Sequence, residues 1–164
     1  MQAKMTKKST DYKALNAIDH VLLRPDTCGG AITEQNISCI VDGALVNLTI
    51  VPMLYKIFDE ILVNAIDNHV RGFTDCIKIK VTATGFVVWN NGKGVPVEKH
   101  PDLDPLTKTH IYTPELVFFR LRSGQNFNDS EDRFVGGRNG YGSKLTSIFS
   151  KKTTVTIGDK DRGL

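Results

Sequence analysis

The stretch PMLYKIFDEILVNAIDN, from Pro52 to Asn68, is the most regular segment of this 164-residue chain. A proline is tolerated in the first turn of a helix, because its missing N–H has no helical partner there. The apolar residues that follow recur at helical spacing and predict a buried stripe: Leu54, Ile57, Phe58, Ile61, Leu62 and Ala65. The sequence therefore predicts a long amphipathic helix.

The same helix carries a polar stripe made of Glu60, Asn64, Asp67 and Asn68. At about 3.6 residues per turn these four side chains share one face. The face holds carboxylates and amides without a cation, and oxygen ligands of this kind suit Mg²⁺. A glutamate one turn away is placed to orient and deprotonate a water molecule. An acidic face turned to solvent is the alternative, and this helix alone does not decide between them.

Outside this helix, hydrophobic periodicity predicts short helices and strands in alternation. Helices are predicted over residues 11–23, 115–121 and 142–150, and strands over residues 37–41, 45–50, 77–81, 86–89 and 153–157. Residues 123–137 form a long polar stretch without periodicity, which is typical of a functional loop or lid. The alternation favours an α/β two-layer sandwich, in which helices cover one face of a mixed β-sheet.

Composition and charge narrow the class of protein only slightly. The net charge of +3 is too small to indicate nucleic-acid binding by itself. No apolar run approaches the roughly 20 residues that a membrane span needs, so we expect no membrane partner. The three cysteines form no CxxC pair, which favours free thiols in a reducing compartment. Residues 1–10 lack the apolar core of a secretory signal and are predicted to form a flexible basic arm.

A second polar motif, WNNGKGVP, follows a predicted strand from Trp89 to Pro96. The glycines at Gly92 and Gly94 let the backbone bend where a side chain would clash. The amide side chains of Asn90 and Asn91 combine donors and acceptors, so at a strand end they could bind the edge of a nucleotide base. A simple β-turn is the alternative, because Asn-Gly is a strong turn signal.

A third motif, GGRNGYGSK, runs from Gly136 to Lys144. It is not the usual phosphate-binding P-loop, because that pattern ends in Lys-Ser or Lys-Thr and this one ends in Ser143-Lys144. Glycines still allow close backbone approach, and N–H groups at the start of a following helix attract anions. Lys144 and Arg138 could add charge-assisted contacts to phosphate. A surface loop is the alternative, but together the three motifs supply sites for metal, base and phosphate.

In this order the motifs resemble the ATP-binding domain of type II DNA topoisomerases. That domain belongs to a wider ATPase group with gyrase, the heat-shock 90 chaperones, the MutL mismatch-repair proteins and histidine kinases. The resemblance spans roughly residues 17–150 and rests on IDHVLLRPDT, TIVPMLYKIFDEILVNAIDN, WNNGKGVPVEKH, IYTPELVF and GGRNGYGSKL. It implies a Bergerat-type ATP-binding fold over residues 11–164, with ATP and Mg²⁺ held between the helices and a lid.

The resemblance also implies roles for single residues. Glu60 corresponds to the general base, Asn64 to the Mg²⁺ ligand, and Asn90 to the residue on the adenine and ribose side. The remaining implied nucleotide contacts are Asn68, Ser123, Gly124, Gln125, Asn126, Gly137, Arg138, Asn139, Gly140, Tyr141, Gly142, Ser143 and Lys144.

The intact enzyme implied by the resemblance would act on DNA and form a homodimer when ATP binds. Its expected location is the nucleus, or the host cytoplasm or a virus factory if the source is viral. We also expect the family's last strands, transducer and cleavage domains to lie outside this chain. Departures from the family pattern at Cys28, Gly124 and Gln125 place individual contacts in doubt. The alternative is an isolated nucleotide-binding module, or a chaperone or repair ATPase of the same group.

Overall fold

The computed structural model describes residues 14–104, 107–121 and 140–164. The arm predicted for residues 1–10 and the polar stretch 123–137 lie outside them. The described residues form the elements α1 (Ala17–Leu23), a 3₁₀ turn (Pro25–Thr27), β1 (Gln35–Val41), β2 (Ala44–Ile50), α2 (Pro52–Val70), β3 (Ile77–Thr82), β4 (Gly85–Asn90), β5 (Lys99–Leu103), β6 (His110–Tyr112), α3 (Thr113–Phe119) and α4 (Gly142–Ile148).

The strands pair as three antiparallel hairpins, β1 with β2, β3 with β4 and β5 with β6. The predicted mixture of helices and strands is confirmed, but the described strands form these separate two-stranded sheets instead of one mixed sheet. In the first hairpin, Val41 faces Ala44 across the turn. Asp42 and Gly43 both have positive φ, of 50° and 80°, and such a pair matches the right-handed twist of the flanking strands.

The third hairpin was not predicted, because Lys99-His-Pro-Asp-Leu has neither alternation nor β-branched residues. Its turn is held instead by Asp104, whose side chain is 3% exposed. The Asp104 carboxylate accepts a hydrogen bond from the backbone N–H of Thr107 at 2.9 Å. It also lies 3.2 Å from the guanidinium Nε of Arg120, just after α3. A buried carboxylate, and not an apolar pattern, therefore fixes this hairpin.

The long helix α2 carries the hydrophobic core on one face. Met53 and Ile57 are 2% and 5% exposed, and they pack with Val21 of α1 and Leu145 of α4. The predicted apolar stripe was wrong at Leu54, which is 60% exposed. The stripe is rotated toward Met53, because α4 covers that side of the helix. Gly72, with φ of 77°, follows the last turn of α2 in the left-handed conformation common after helices.

Helix α4 lies antiparallel to the first half of α2. Its second turn is fixed to α2 by Thr146, whose hydroxyl donates to the carbonyl oxygen of Ile57 at 2.8 Å. Its start, at Gly142, meets Glu60, which is almost one turn further along α2. The other side of α4 contacts α3, where the Ser143 hydroxyl donates to the carbonyl oxygen of Val117 at 3.2 Å.

Several predicted boundaries and one predicted strand were wrong. Helix α1 begins at Ala17, because the side chain of Asn16 accepts the N–H of Asp19 and caps the helix there. Helix α3 ends at Phe119, two residues early. Residues 153–157 form no strand with any described residue, although their burial alternates along the chain as in a strand. This segment is held through its side chains and the turn that follows it.

Candidate active site

The polar stripe of α2 continues the face that carries Met53 and Ile57. Positions 53, 57, 60, 64 and 67 lie within a narrow sector at about 3.6 residues per turn. The first half of this face is covered by α4, and the second half borders an open cleft. Glu60 lies at the boundary between core and cleft, where its carboxylate is paired with Lys56 on the preceding turn. One helix face therefore serves both packing and polar chemistry.

The cleft has a volume of about 3170 Å³ and lies among α2, the β3–β4 hairpin, α4 and residues 153–158. Small-molecule sites usually enclose roughly 300–1,000 Å³, so this is an open groove and not a closed pocket. The predicted site residues in the described part of the chain all line it: Glu60, Asn64, Asn68, Asn90, Gly140, Tyr141, Gly142, Ser143 and Lys144. The folded chain therefore brings the three separate motifs to one place.

The glycine loop meets the polar helix where Gly142 lies against Glu60. A β-carbon built on Gly142 would overlap the carboxylate of Glu60 and lie 3.1 Å from its Cβ. Only a residue without a side chain fits at this position while Glu60 keeps its place. Asn64, one turn further on α2, is exposed, and its side chain makes no hydrogen bond within the described residues. A carboxylate and a free carboxamide thus face the cleft next to the start of α4.

The strand-end motif contacts the same helix through Asn68. The Nδ2 group of Asn68 donates to the side-chain oxygen of Asn90 at 3.2 Å and to the carbonyl oxygen of Lys93 at 3.4 Å. The Asn90 oxygen also accepts the N–H of Gly92 at 3.0 Å, and this backbone donor fixes which end of the amide is the oxygen. The nitrogen of the Asn90 amide has no partner within the described residues and remains available as a donor.

Asn91 has a structural role, because its side chain is hydrogen-bonded to the segment that precedes β3. Its side-chain oxygen accepts the hydroxyl of Thr74 at 2.7 Å and the N–H of Cys76 at 3.1 Å. Its Nδ2 group donates to Asp75 at 2.6 Å. Asn91 thereby ties the end of β4 to the segment before β3, while Asn90 points its amide toward α2.

Gly92 is required by close packing. A β-carbon there would lie 2.7 Å from the Cβ of Thr74 and 2.8 Å from the carbonyl oxygen of Phe73. Both distances are shorter than any normal carbon contact, and neither partner is a flexible side-chain end. The glycine therefore lets the strand end approach the loop after α2.

Ser143 and Lys144, which the sequence places at the phosphate loop, are buried at the start of α4. Ser143 is 6% exposed and bonded to α3, so its hydroxyl faces the protein. Lys144 is 4% exposed, and burial lowers the pKa of its ammonium from 10.5 to about 8. Desolvation penalises the charged form, which is the cause of the shift. Burial of this ammonium therefore carries a desolvation cost in the folded protein.

The remaining predicted contacts lie outside the described residues: Ser123, Gly124, Gln125, Asn126, Gly137, Arg138 and Asn139. Sequence reasoning gave no role to Thr146 or Asp159, which are both buried and hydrogen-bonded between distant segments. Thr146 lies within an apolar helix pattern, and Asp159 lies in a short charged run, so neither position is marked by spacing.

The described residues lack two features, a membrane-spanning helix and a cluster of metal-ligating side chains. No helix there is long and apolar enough to cross a bilayer. No group of three or more His, Cys, Asp or Glu side chains in the same part of the chain is arranged to hold a metal ion. The three cysteines, Cys28, Cys39 and Cys76, are free thiols, as predicted.

Residues 49–163 match the family of histidine kinase-, DNA gyrase B- and HSP90-like ATPases. The chain belongs to this family of ATPases, which confirms the wider group implied by the sequence motifs. Within it, the chain matches the ATPase region of type II topoisomerases.

The chain is 40% identical over 169 residues to DNA topoisomerase 2 of Candida albicans, which covers 98% of this chain and 11% of that protein. Among solved structures, the ATPase and transducer domains of DNA topoisomerase II from Balamuthia mandrillaris align with a TM-score of 0.75 at 40% identity, covering 89% of this chain and 38% of that one. The ATPase region of Saccharomyces cerevisiae topoisomerase II aligns with a TM-score of 0.71 at 39% identity, and the alignment covers 87% of this chain and 38% of that one. The chain therefore spans about a tenth of the curated relatives that it matches.

Proposed function

We propose that this chain binds and hydrolyses ATP as the N-terminal ATPase domain, within residues 11–164, of a type II DNA topoisomerase. The observation that carries the proposal is the close approach of Gly142 to Glu60, because it brings a carboxylate against the glycine loop in one cleft. The relatives named above are topoisomerases, which supports the same activity for the whole protein.

Glu60 is proposed to orient and deprotonate the attacking water. Its Oε1 is paired with Lys56, which leaves Oε2 on the side of Gly142 and the cleft. General bases of this kind contribute about 10²–10⁴-fold to a rate. Phosphoryl transfer depends mainly on positioning and charge neutralisation, so one carboxylate and a tight backbone loop are suitable chemistry.

Asn64 is proposed to bind Mg²⁺ through its carboxamide oxygen. Mg²⁺ commonly takes one or two protein ligands and completes its shell with water and substrate phosphates, so a dedicated cluster of acidic residues is not needed. The exposed, unbonded side chain of Asn64 fits this role. When bound, the ion would neutralise phosphate charge.

The nucleotide base is proposed to lie at the strand end, where Asn90 keeps a free amide donor. The oxygen of that amide is already used by Asn68 and Gly92, which holds the donor in a fixed direction. The phosphates would then extend toward Gly140, Tyr141 and Gly142, with the charge of Lys144 nearby. The further contacts at residues 123–126 and 137–139 remain predictions.

For the whole protein we propose that one DNA duplex is passed through a transient double-strand break in another. ATP binding would join two copies of this domain as a homodimer, and hydrolysis would reopen the dimer. DNA is thus the substrate of the intact enzyme, and the nucleus is the proposed location. A virus factory or host cytoplasm would replace the nucleus in a viral source.

The test uses Glu60→Gln, which keeps shape and hydrogen bonding but cannot accept a proton. We expect Mg²⁺-ATP affinity within about threefold of wild type and turnover at least about 100-fold lower. The control is Asp59→Asn, which removes a neighbouring carboxylate that does not line the cleft and should leave both values unchanged. Equal turnover by the Glu60→Gln variant would refute the base assignment, and absence of ATP binding by wild type would refute the proposed nucleotide site.

A further inference from the structure

Residues 157–162, with the sequence IGDKDR, contact residues 93–98 at four points, two within the end of the strand-end motif and two just after it. We name this segment the brace. The Ile157 side chain lies against Gly94, so that a β-carbon built on that glycine would be 2.8 Å from Cγ2 and 3.0 Å from the carbonyl oxygen of Gly158. The ammonium of Lys93 lies 3.0 Å from the carboxylate of Asp161. The two segments therefore meet closely on both sides of Gly94.

The central contact is made by Asp159, which is 7% exposed and lies 62 residues from its partner. Its carboxylate accepts the backbone N–H of Val97 at 2.8 Å. The same oxygen accepts the guanidinium of Arg162 at 3.1 Å, and Arg162 in turn pairs with Glu98. A buried charge is stable only when paired and hydrogen-bonded, and Asp159 has both kinds of partner.

The brace is itself held in shape. The N–H of Asp159 donates to the carbonyl oxygen of Leu164 at 2.7 Å, and the N–H of Leu164 donates back at 3.0 Å. The backbone hydrogen bond from Val97 is the main reason that the pKa of the Asp159 carboxyl lies below its ordinary value, with Arg162 adding to the effect. Asp159 is thus ionised across the neutral range and acts as a fixed acceptor.

We propose that Asp159 is a positioning residue for the nucleotide site, which fixes the loop of residues 92–98 against α2 and so sets the direction of the Asn90 amide. The proposal rests on the proposed function, since the site that it positions is the ATP site. The mechanical link is short: Asp159 holds Val97, Ile157 packs on Gly94, and Gly92 bonds the oxygen of Asn90. A shift of this loop would rotate or release the Asn90 amide without touching Glu60.

The test compares Asp159→Ala with Asp161→Ala. Asp161 lies two residues further along the chain and carries the same charge, but it belongs to the pair with Lys93, whose side chains are 63–64% exposed. Exposed pairs of this kind contribute little to stability, so Asp161→Ala is the matched control. Hydrogen exchange of the full chain without nucleotide reports on residues 92–98 directly. We expect exchange in this segment to rise at least about tenfold in Asp159→Ala and to stay within about twofold in the control.

The second readout is the Kd for Mg²⁺-ATP and Mg²⁺-ADP. We expect Asp159→Ala to weaken both nucleotides by a similar factor, about tenfold, because the loop serves the base side that they share. Asp159→Asn keeps an acceptor for the Val97 N–H and should restore binding to within about threefold of wild type. Should Asp159→Ala fail to fold, the same measurements are made on Asp159→Leu, which also removes the acceptor of the Val97 N–H but fills more of the buried space, and the same rise in exchange is expected.

The outcomes separate this proposal from the proposed function. Unchanged exchange of residues 92–98 in Asp159→Ala would overturn the brace, whatever the nucleotide result. Faster exchange with unchanged Kd would overturn the positioning role while leaving the ATP site intact. No nucleotide binding by wild type would overturn the proposed function and, with it, the positioning role, whereas the brace itself is judged by exchange alone.

Discussion

Lys144 is expected to reduce the stability of the free protein, and its replacement by methionine should reveal by how much. The side chain is 4% exposed, and burial lowers the pKa of its ammonium from 10.5 to about 8. One tenfold change in a protonation equilibrium corresponds to about 1.4 kcal/mol, so the difference corresponds to about 3 kcal/mol at pH 7. Methionine has a similar length and no charge to desolvate. Lys144→Met also removes the polar interaction that Lys144 makes, so its gain in stability at pH 7 should be smaller than this amount.

The sign of the pH dependence follows from linkage. Between pH 8 and 10.5 the unfolded chain holds a proton on Lys144 that the folded chain has released, so the unfolded state binds more protons. Wild-type stability should therefore rise through this range relative to Lys144→Met. From pH 7 to pH 10 the free energy of unfolding of wild type should rise by about 2–3 kcal/mol relative to that of Lys144→Met. Below pH 8 the folded lysine is charged, and the cost is fully present.

The assay is urea unfolding at pH 7, 8, 9 and 10 for wild type, Lys144→Met and Lys151→Met. Lys151 is exposed and lies just beyond the end of α4, so its variant controls for loss of a lysine at the same helix. The reasoning would be refuted by a difference in stability between wild type and Lys144→Met that stays constant with pH. If Lys144 also contacts phosphate, the stabilised variant should bind Mg²⁺-ATP more weakly.

Two further substitutions test the packing around the cleft. Gly92→Ala places a methyl group 2.8 Å from the carbonyl oxygen of Phe73, so the free energy of unfolding should fall by about 1–3 kcal/mol in thermal or urea unfolding. The control Gly85→Ala has open space around it and should lose under about 1 kcal/mol. Equal losses in the two variants would contradict the packing argument. Thr146→Val keeps the shape of the side chain but removes the hydroxyl that donates to the Ile57 carbonyl oxygen at 2.8 Å. We expect the free energy of unfolding in urea to fall by about 1 kcal/mol. An unchanged value would show that this hydrogen bond contributes nothing to stability.

Much of the site could be predicted from the sequence because its residues belong to compact motifs. The polar residues of α2 are spaced by the helix itself, so that Glu60 and Asn64 had to share a face. The turn at Asp42-Gly43 was equally local, since two residues with positive φ define it. In each case the information lies within a few neighbouring residues.

The features that sequence reasoning missed depend on distant contacts. Leu54 fits the apolar period as well as Met53 does, and only the position of α4 decides which of them is buried. The β5–β6 hairpin depends on Asp104 meeting Arg120 after α3. Residues 153–157 have strand-like composition, yet pairing requires a partner strand that no described segment supplies. Local patterns cannot specify such partners.

The reversed Ser-Lys order of the glycine loop has a structural explanation in α4. Ser143 is used to bind α3, and Lys144 is buried beneath the helix start, so neither residue occupies the place that a P-loop gives it. The glycine before them is what reaches the polar helix, where Gly142 lies against Glu60. Because Thr146, one turn further along α4, is bonded to Ile57, the same helix contact that builds the core also sets the distance between Glu60 and the glycine loop. We therefore expect mutations that loosen the core at this contact to lower turnover, since α4 holds Gly142 against Glu60, the general base that we propose.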